Sequence, residues 1–245
     1  MRLIRITLAT LFVLFILPAL AHLAVWSMMD HPRSWSEADW SSTNTFPKRP
    51  AQAEAGIWVM SARTGRMKGA FATHSWLVIK KPGSTRYDRY DVVGWGRALR
   101  HNGYAPDARW YSNPPRIDHH VSGEQAAALI PTMEKAISSY RWGDYGDYTI
   151  WPGPNSNTFV ASILHQVPQL AVAPPATAVG RDFPWDGRWA GIREDGTIFI
   201  SMLGYIGANI GGRAGVELHF LGLVTGITAA WDGVKLPGFG TLRFI

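Results

Sequence analysis

The hydrophobic positions divide the chain into a long apolar run, a middle part with short alternating segments and a Gly-rich tail. Residues 6–29 (ITLATLFVLFILPALAHLAVWSMM) hold no charged residue. About 20 apolar residues cross the ~30 Å hydrocarbon core of a bilayer, so we expect contact with a membrane through residues 6–29. Arg2 and Arg5 precede the run, and a short basic N-terminal tail favours a cytoplasmic N-terminus with the rest of the chain outside.

A cleaved signal peptide is the alternative to a retained anchor. Residues 19–21 (Ala-Leu-Ala) have the small-x-small form of a cleavage site, but the apolar run continues past them. Arg33, Lys48 and Arg49 follow the run and weaken the charge asymmetry. The sequence therefore predicts a signal anchor or signal peptide over residues 1–29. We expect the protein in the inner (cytoplasmic) membrane, with its main domain on the periplasmic or extracytoplasmic side.

Residues 30–55 are rich in Ser, Thr, Pro and Trp without a sustained period, and we interpret them as a tether. After the tether, apolar residues alternate with polar ones, which is typical of strands. In the second of these segments His74, Trp76 and Val78 share one face. The predicted strands cover Gly56–Arg63, Phe71–Lys81, Arg86–Trp95 and Arg116–Val121.

Two segments change to a helical period. Ser122, with Gln125 three residues later, fits a capping box in front of the first. Pro131 lies inside this first pattern, so we expect a kink or a break there. The second helix begins at Asn155 or Ser156 and ends before Pro168.

The tail, residues 171–245, is Gly-rich and apolar. Residues 198–212 and 215–230 resemble further membrane spans, but each is short, and Glu217 and His219 interrupt the latter. We predict strands or buried loops that pack on the core. A protein with two or more spans is a weaker alternative.

Composition narrows the function. The 245 residues are 47% hydrophobic and 17% charged, which excludes a disordered chain and argues against a multi-span membrane protein. The absence of Cys excludes disulfides, thiolate zinc sites and a cysteine nucleophile. A net charge of +6 favours acidic partners, but export excludes nucleic acid. His119 and His120 are adjacent, so on a strand they point to opposite faces and do not share a metal. We expect no metal and no other cofactor.

Residues 151–164 (WPGPNSNTFVASIL) carry the candidate chemistry. A Gly/Pro loop brings Ser156 to the start of an apolar helix, where unpaired backbone N–H groups can hold a developing oxyanion. His74 lies on an earlier strand. A histidine that faces a hydroxyl at a helix start is a base–nucleophile arrangement. We expect substrate contacts from Asn155, Asn157, Trp151 and Tyr148.

These motifs resemble the circularly permuted branch of the NlpC-type papain-like proteins, to which lecithin–retinol acyltransferase is related. Residues 155–160 (Asn-Ser-Asn-Thr-Phe-Val) are similar to the family's nucleophile motif, with Ser156 in the place of the cysteine. Residues 73–78 (Thr-His-Ser-Trp-Leu-Val) resemble the strand that carries the family's histidine. The resemblance covers residues 56–167. It implies a papain-like α+β fold, with an antiparallel sheet and packed helices, and cleavage or transfer of an amide or ester.

The resemblance also implies a third polar residue on the next strand, which would orient His74. A turn centred near Gly83 would place even-numbered residues on the face of His74. This register favours Asp88 or Tyr90 over Asp91, although a bulge in the turn would change it.

The chain also resembles an uncharacterised bacterial family, domain of unknown function 3750. The similarity rests on residues 151–159 (Trp-Pro-Gly-Pro-Asn-Ser-Asn-Thr-Phe) and 236–238 (Leu-Pro-Gly). It covers most of the chain and implies no known activity.

Serine in place of cysteine leaves two functions open, because a hydroxyl needs a well-placed base to become a nucleophile. One is a membrane-associated hydrolase or acyltransferase that acts on a peptide, ester or lipid. The other is a non-catalytic binding or scaffold protein of the envelope, in which Ser156 caps a helix and His74 packs in the core. In both, residues 56–170 form the papain-like α+β core, and residues 171–245 form an extension packed on it.

Overall fold

The computed structural model describes residues 1–48, 50–51 and 53–244. The chain begins with α1 (Arg2–Leu11), a π-helical turn (Phe12–Ile16) and α2 (Leu17–Ser27). Together they form a helix of 26 residues that is long and apolar enough to cross a membrane. The π turn ends two residues before Pro18, which has no N–H to donate and whose ring crowds the preceding turn.

Five antiparallel strands form the first sheet, in the order β4-β3-β2-β1-β5. The four predicted strands are present, and β4 is a fifth, three-residue strand that showed no alternating pattern. Their bounds are β1 (Gly56–Arg63), β2 (Thr73–Lys80), β3 (Asp88–Val92), β4 (Leu99–His101) and β5 (Arg116–Ser122).

Two helices, α3 (Gly123–Ser138) and α4 (Ser156–Gln166), cover one face of this sheet. Leu77 of β2, Met133 of α3 and Phe159 of α4 are fully buried between them. The expected capping box at Ser122 is wrong, because the Ser122 side chain makes no capping hydrogen bond. Of the kink or break expected at Pro131, the break is absent, since α3 continues through this residue. The end of α4 before Pro168 is confirmed.

An aromatic cluster covers the other face of the sheet. Trp76 and Val78 of β2 pack there with Trp110 and Phe46. Phe46 belongs to the predicted tether, so that segment packs on the sheet at this residue. Arg49 and Gln52, also assigned to the tether, lie outside the described residues.

The Gly-rich tail forms a second antiparallel sheet in which each strand pairs with the next along the chain. The expectation of strands is confirmed, and the structure is α+β with two antiparallel sheets. The strands are β6 (Ala190–Ile192), β7 (Ile198–Met202), β8 (Ile206–Gly211), β9 (Gly215–Phe220), β10 (Leu223–Ile227), β11 (Gly233–Leu236) and β12 (Gly240–Arg243).

Candidate functional site

Asn155, not Ser156, caps α4. The Asn155 side-chain oxygen accepts hydrogen bonds from the backbone N–H groups of Asn157 (2.9 Å) and Thr158 (3.1 Å). The Thr158 hydroxyl accepts in return from the Asn155 N–H, at 3.2 Å, which completes a capping box. Ser156 is therefore the first helical residue, and its hydroxyl is not needed for the cap.

Asn157 fixes the start of α4 against β2. Its side-chain N–H donates to the Thr73 carbonyl at 2.8 Å, and its side-chain oxygen accepts from the Ser75 hydroxyl at 2.8 Å. These two contacts lie on either side of His74 in the sequence. The amide groups of Asn155 and Asn157 therefore make structural bonds, and the site places the helix start beside His74.

His74 belongs to a buried charged cluster. Its Nε2 lies 3.2 Å from Oδ2 of Asp91, and the Arg89 guanidinium donates to the same oxygen at 2.9 Å. All three side chains are almost completely buried. The His74 ring stacks on Trp110, with ring centroids 3.6 Å apart and planes 5° from parallel. Arg89 lies 4.1 Å from the ring centroid of Trp76, a cation–π contact that partly replaces lost water.

Burial and charge set the protonation of this cluster. Burial lowers the pKa of His74 below its ordinary value, against the opposite influence of Asp91. Burial alone would raise the pKa of Asp91, but Arg89 and His74 hold it below its ordinary value. At neutral pH the cluster therefore combines a neutral imidazole with an ionised carboxylate.

The expected register between β2 and β3 is wrong. Leu77 pairs with Tyr90 and Ile79 with Asp88, so odd-numbered residues of β3 share the face of His74. Asp88 lies instead 2.8 Å from Nε2 of His101, and the Tyr90 ring stacks on His101. Neither residue contacts His74, and Asp91 occupies the position expected for them.

A large cavity borders both His74 and Ser156. Its volume is ≈ 910 Å³, within the range of small-molecule binding sites. The described residue pairs between β2 and β3 end at Leu77. The cavity lies past this point, next to the first residues of β2. Trp151 and Tyr148 line it, as expected for substrate contacts, and burial raises the pKa of Tyr148 to about 12. Apolar residues dominate the rest of the wall, among them Ile16, Leu20, Phe71, Leu221 and Leu223.

Two polar atoms on the cavity wall are free. Among the residues that the structure describes, neither the Ser156 hydroxyl nor Nδ1 of His74 has a hydrogen-bond partner. Neither atom belongs to the set of polar atoms that are shielded from solvent and also lack a hydrogen-bond partner. Both atoms are therefore accessible from the cavity. They are not hydrogen-bonded to each other, because α4 packs on the odd-numbered face of β2 and His74 projects from the even-numbered face.

The family described as "Protein of unknown function (DUF3750)" matches residues 54–183, just over half of the chain. The chain belongs to this family. The matched segment contains β1 to β5, α3 and α4, and so includes His74, Asp91 and Ser156. No curated protein matches the chain, and no solved structure matches it. Membership of domain of unknown function 3750 is thereby confirmed, whereas the resemblance to permuted NlpC-type proteins stays a prediction.

The family segment contains two site residues that the sequence did not single out. Arg89 stands two residues before Asp91, so strand periodicity alone placed both on one face. Trp110 lies in a loop without periodicity, and no sequence signal linked it to His74. Within the described part of the chain, no group of three or more His, Cys, Asp or Glu side chains is placed to hold a metal. His120 stacks on Trp58, with centroids 4.6 Å apart.

Proposed function

We propose that the protein is a membrane-associated hydrolase or acyltransferase that acts on an ester or amide, with Ser156 as nucleophile and His74 as base. The observation that carries the proposal is that two polar atoms without a partner, Nδ1 of His74 and the Ser156 hydroxyl, border the same cavity. Asp91 takes the orienting role expected of Asp88 or Tyr90, because it is the carboxylate that contacts His74.

The charged cluster supports a catalytic role for His74. Removing an imidazole, a carboxylate and a guanidinium from water costs free energy that apolar residues of the same size would not. Such perturbed groups at the wall of a cavity are typical of active sites. Asp91 accepts the proton on Nε2, which leaves Nδ1 unprotonated and able to accept the proton of a hydroxyl.

The reaction would proceed through an acyl-enzyme. The Ser156 oxygen attacks the carbonyl carbon while its proton moves to Nδ1 of His74 through a water molecule in the cavity that both groups border. The oxyanion would be held by the backbone N–H of Ser156, the first residue of α4. His74 then returns the proton to the departing alcohol or amine. Water or a second alcohol releases the acyl group from Ser156.

The apolar cavity wall favours a substrate with a hydrocarbon part, and the helix Arg2–Ser27 would hold the enzyme at the membrane. We place the main domain on the periplasmic side, as the basic tail at Arg2 and Arg5 predicts. The order of His74 and Ser156 also leads us to propose a permuted papain-like architecture for residues 56–170.

A fluorophosphonate tests this proposal without knowledge of the substrate, because an activated serine displaces its fluoride and becomes phosphonylated. The full chain, in detergent, should be labelled at Ser156. Ser156→Ala and His74→Gln should abolish labelling. Ser162→Ala is the matched control, since Ser162 lies on the same helix with its hydroxyl bonded to the Phe159 carbonyl. A folded wild-type chain that resists the probe, or labelling that survives in Ser156→Ala, would contradict the proposal.

A non-catalytic binding protein is the second candidate, and the missing hydrogen bond between Ser156 and His74 favours it. Ser156→Cys separates the two candidates. An intact site would give this variant a fast-reacting thiol towards iodoacetamide, and His74→Gln in the same background would slow it. Equal thiol reactivity with and without His74 would favour the binding protein.

A further inference from the structure

The second sheet exposes an apolar face. Its strands pair so that one residue from each forms a straight row across the sheet, and every member is apolar. This row consists of Ile192, Ile198, Ile210, Val216, Ile227, Val234 and Leu242. Next to it lie Ile200 and Leu218, which are 53% and 46% exposed. We call this surface the outer face. None of the described strand residues that share it is charged.

The opposite face of the same sheet buries charges. Glu217 ion-pairs there with Arg181 and Lys235, and His219 lies 3.0 Å from Asp182. A sheet with one face in water normally turns its apolar side inward and its polar side outward. In β9 the alternation is reversed, so the outer face is suited to an apolar medium.

The N-terminal helix is packed against the edge of this surface. The rings of Phe15 and Phe220 are 5.6 Å apart. Further along, Nδ1 of His22 donates to the Ala70 carbonyl at 2.6 Å, and the Trp26 indole donates to the Arg66 carbonyl at 3.0 Å.

Two glycines permit this close docking. A Cβ at Gly69 would lie 2.3 Å from Trp26, and one at Gly238 would lie 2.7 Å from His22. The helix therefore packs against the folded domain over residues 15–26 and is not connected to it only through a flexible linker.

This docking determines where the second sheet lies. Trp26 follows Phe15 by eleven positions, which corresponds to a rise of about 16 Å. A helix that crosses the ~30 Å hydrocarbon core with Trp26 at its boundary carries Phe15 well below the headgroups. Phe220, which contacts Phe15, then lies at the same depth in the bilayer.

We propose that the outer face of the second sheet is embedded in the same bilayer that the N-terminal helix enters. The outer face, the helix and the apolar wall of the cavity form one continuous apolar surface, joined at Phe15, Leu221 and Leu223. Arg66 and Lys68 are exposed beside Trp26, at the level of the headgroups. These two residues and the net charge of +6 favour a leaflet rich in anionic lipid.

The test uses the full chain in vesicles of equal parts phosphatidylcholine and phosphatidylglycerol. Because the chain has no cysteine, Ile200→Cys and Leu218→Cys can each carry a single nitrobenzoxadiazole label. Thr85→Cys, in the exposed turn between β2 and β3, is the matched control. We expect lipids with a nitroxide on the acyl chain to quench the two outer-face labels several-fold more than the label at position 85.

Two other occupants would give different results. If a second copy of the chain covers the outer face, the environment of the labels in detergent becomes more apolar as the protein concentration rises. The nitroxide lipids then do not quench the labels. If water covers it, the labels behave like the one at position 85. Either result would overturn the proposal. Photoactivatable phospholipids provide a check on the unmodified chain, in which crosslinks should map to residues 198–220, and their absence there would also count against it.

Discussion

Both sheets bury a cluster of opposite charges, but His74 in the first and Glu217 in the second differ in what borders them. His74 lines a cavity of ≈ 910 Å³, with Asp91 and Arg89 buried behind it, and its Nδ1 has no partner among the described residues. Glu217 in the second sheet borders a space of ≈ 40 Å³, and both of its oxygens face cations. The first space has the volume of a small-molecule site, whereas the space beside Glu217 has room for little more than water.

Under the proposed function, this difference separates a cluster that acts on a ligand from one that holds strands together. Arg181 of the second cluster also donates to the Pro174 carbonyl, and Lys235 donates to the Ala214 carbonyl. These bonds tie the segment before the second sheet, β9 and β11 into one unit. The two clusters also differ in the protonation of their histidines. Burial keeps His74 neutral, whereas Asp182 and Glu217 raise the pKa of His219 above its ordinary value.

The largest expected effect is the loss of reactivity in Asp91→Asn. An amide at this position donates to Nε2 of His74 and leaves the proton on Nδ1, which is the wrong tautomer for a base. The corresponding change in a serine protease triad costs about 10⁴-fold in rate. We expect a fall of this order in the rate of fluorophosphonate labelling.

Asp88→Asn is the control for this measurement, since Asp88 meets His101 and not His74. Its labelling rate should equal that of the wild type. If Asp91→Asn, confirmed as folded by circular dichroism, also labels at the wild-type rate, the first cluster has only a structural role and the contrast with the second disappears.

Glu217→Gln should be the most destabilising change in the second cluster and should leave labelling of Ser156 unaltered. Removing one partner of a buried ion pair costs about 3–5 kcal/mol, here because Arg181 and Lys235 lose their counter-charge. Urea denaturation of the full chain in detergent measures the loss of unfolding free energy. The exposed Glu194→Gln is its control, with a change near zero. A loss of labelling in folded Glu217→Gln would show that the two clusters are coupled.

The two histidines should give opposite dependences of stability on pH. Burial lowers the pKa of His74, so the unfolded chain binds its proton more readily, and this stability is lost as the pH falls below about 6.5. Burial also acts to lower the pKa of His219, but Asp182 and Glu217 raise it above its ordinary value. The stability from His219 is present below about pH 6.5 and is lost as the pH rises through the raised pKa.

Urea denaturation at several pH values checks both signs. His74→Gln should flatten the acid side of the stability profile, and His219→Gln should flatten the alkaline side. Each variant is the control for the other. Flattening on the same side in both would mean that the two histidines have similar surroundings, contrary to the structure.

Much of the secondary structure of the first sheet and of the N-terminal segment could be predicted from local sequence patterns. Alternation predicted β1, β2, β3 and β5, and the apolar run predicted the N-terminal helix. A helix start at Asn155 or Ser156 was predicted, because both residue types are common N-caps. Which of them caps the helix depends on contacts with residues far along the chain. Asn155 is the capping residue partly because its side-chain N–H groups donate hydrogen bonds to the carbonyls of Ile150 and Val179, which fixes its orientation.

The parts that could not be predicted depend on register and on long-range packing. The turn between β2 and β3 decides whether Asp88 or Asp91 faces His74, and turn length in the sequence does not fix it. The reversed alternation of β9 also gave no clear signal. Glu217 and His219 mark a water-facing side in an ordinary sheet, whereas here they mark the buried one.

The smallest expected effect concerns an ion pair at the surface of the first region. Nζ of Lys81 and Oε1 of Glu134 are 2.6 Å apart, closer than most contacts in either cluster, but the side chains are 46% and 34% exposed. Solvent and salt screen such a pair, so Glu134→Gln should cost at most about 1 kcal/mol. A double-mutant cycle with Lys81→Met isolates the coupling, which should fall further in high salt. A coupling as large as that of Glu217 would mean that proximity, and not burial, decides the strength of the ion pairs in this protein.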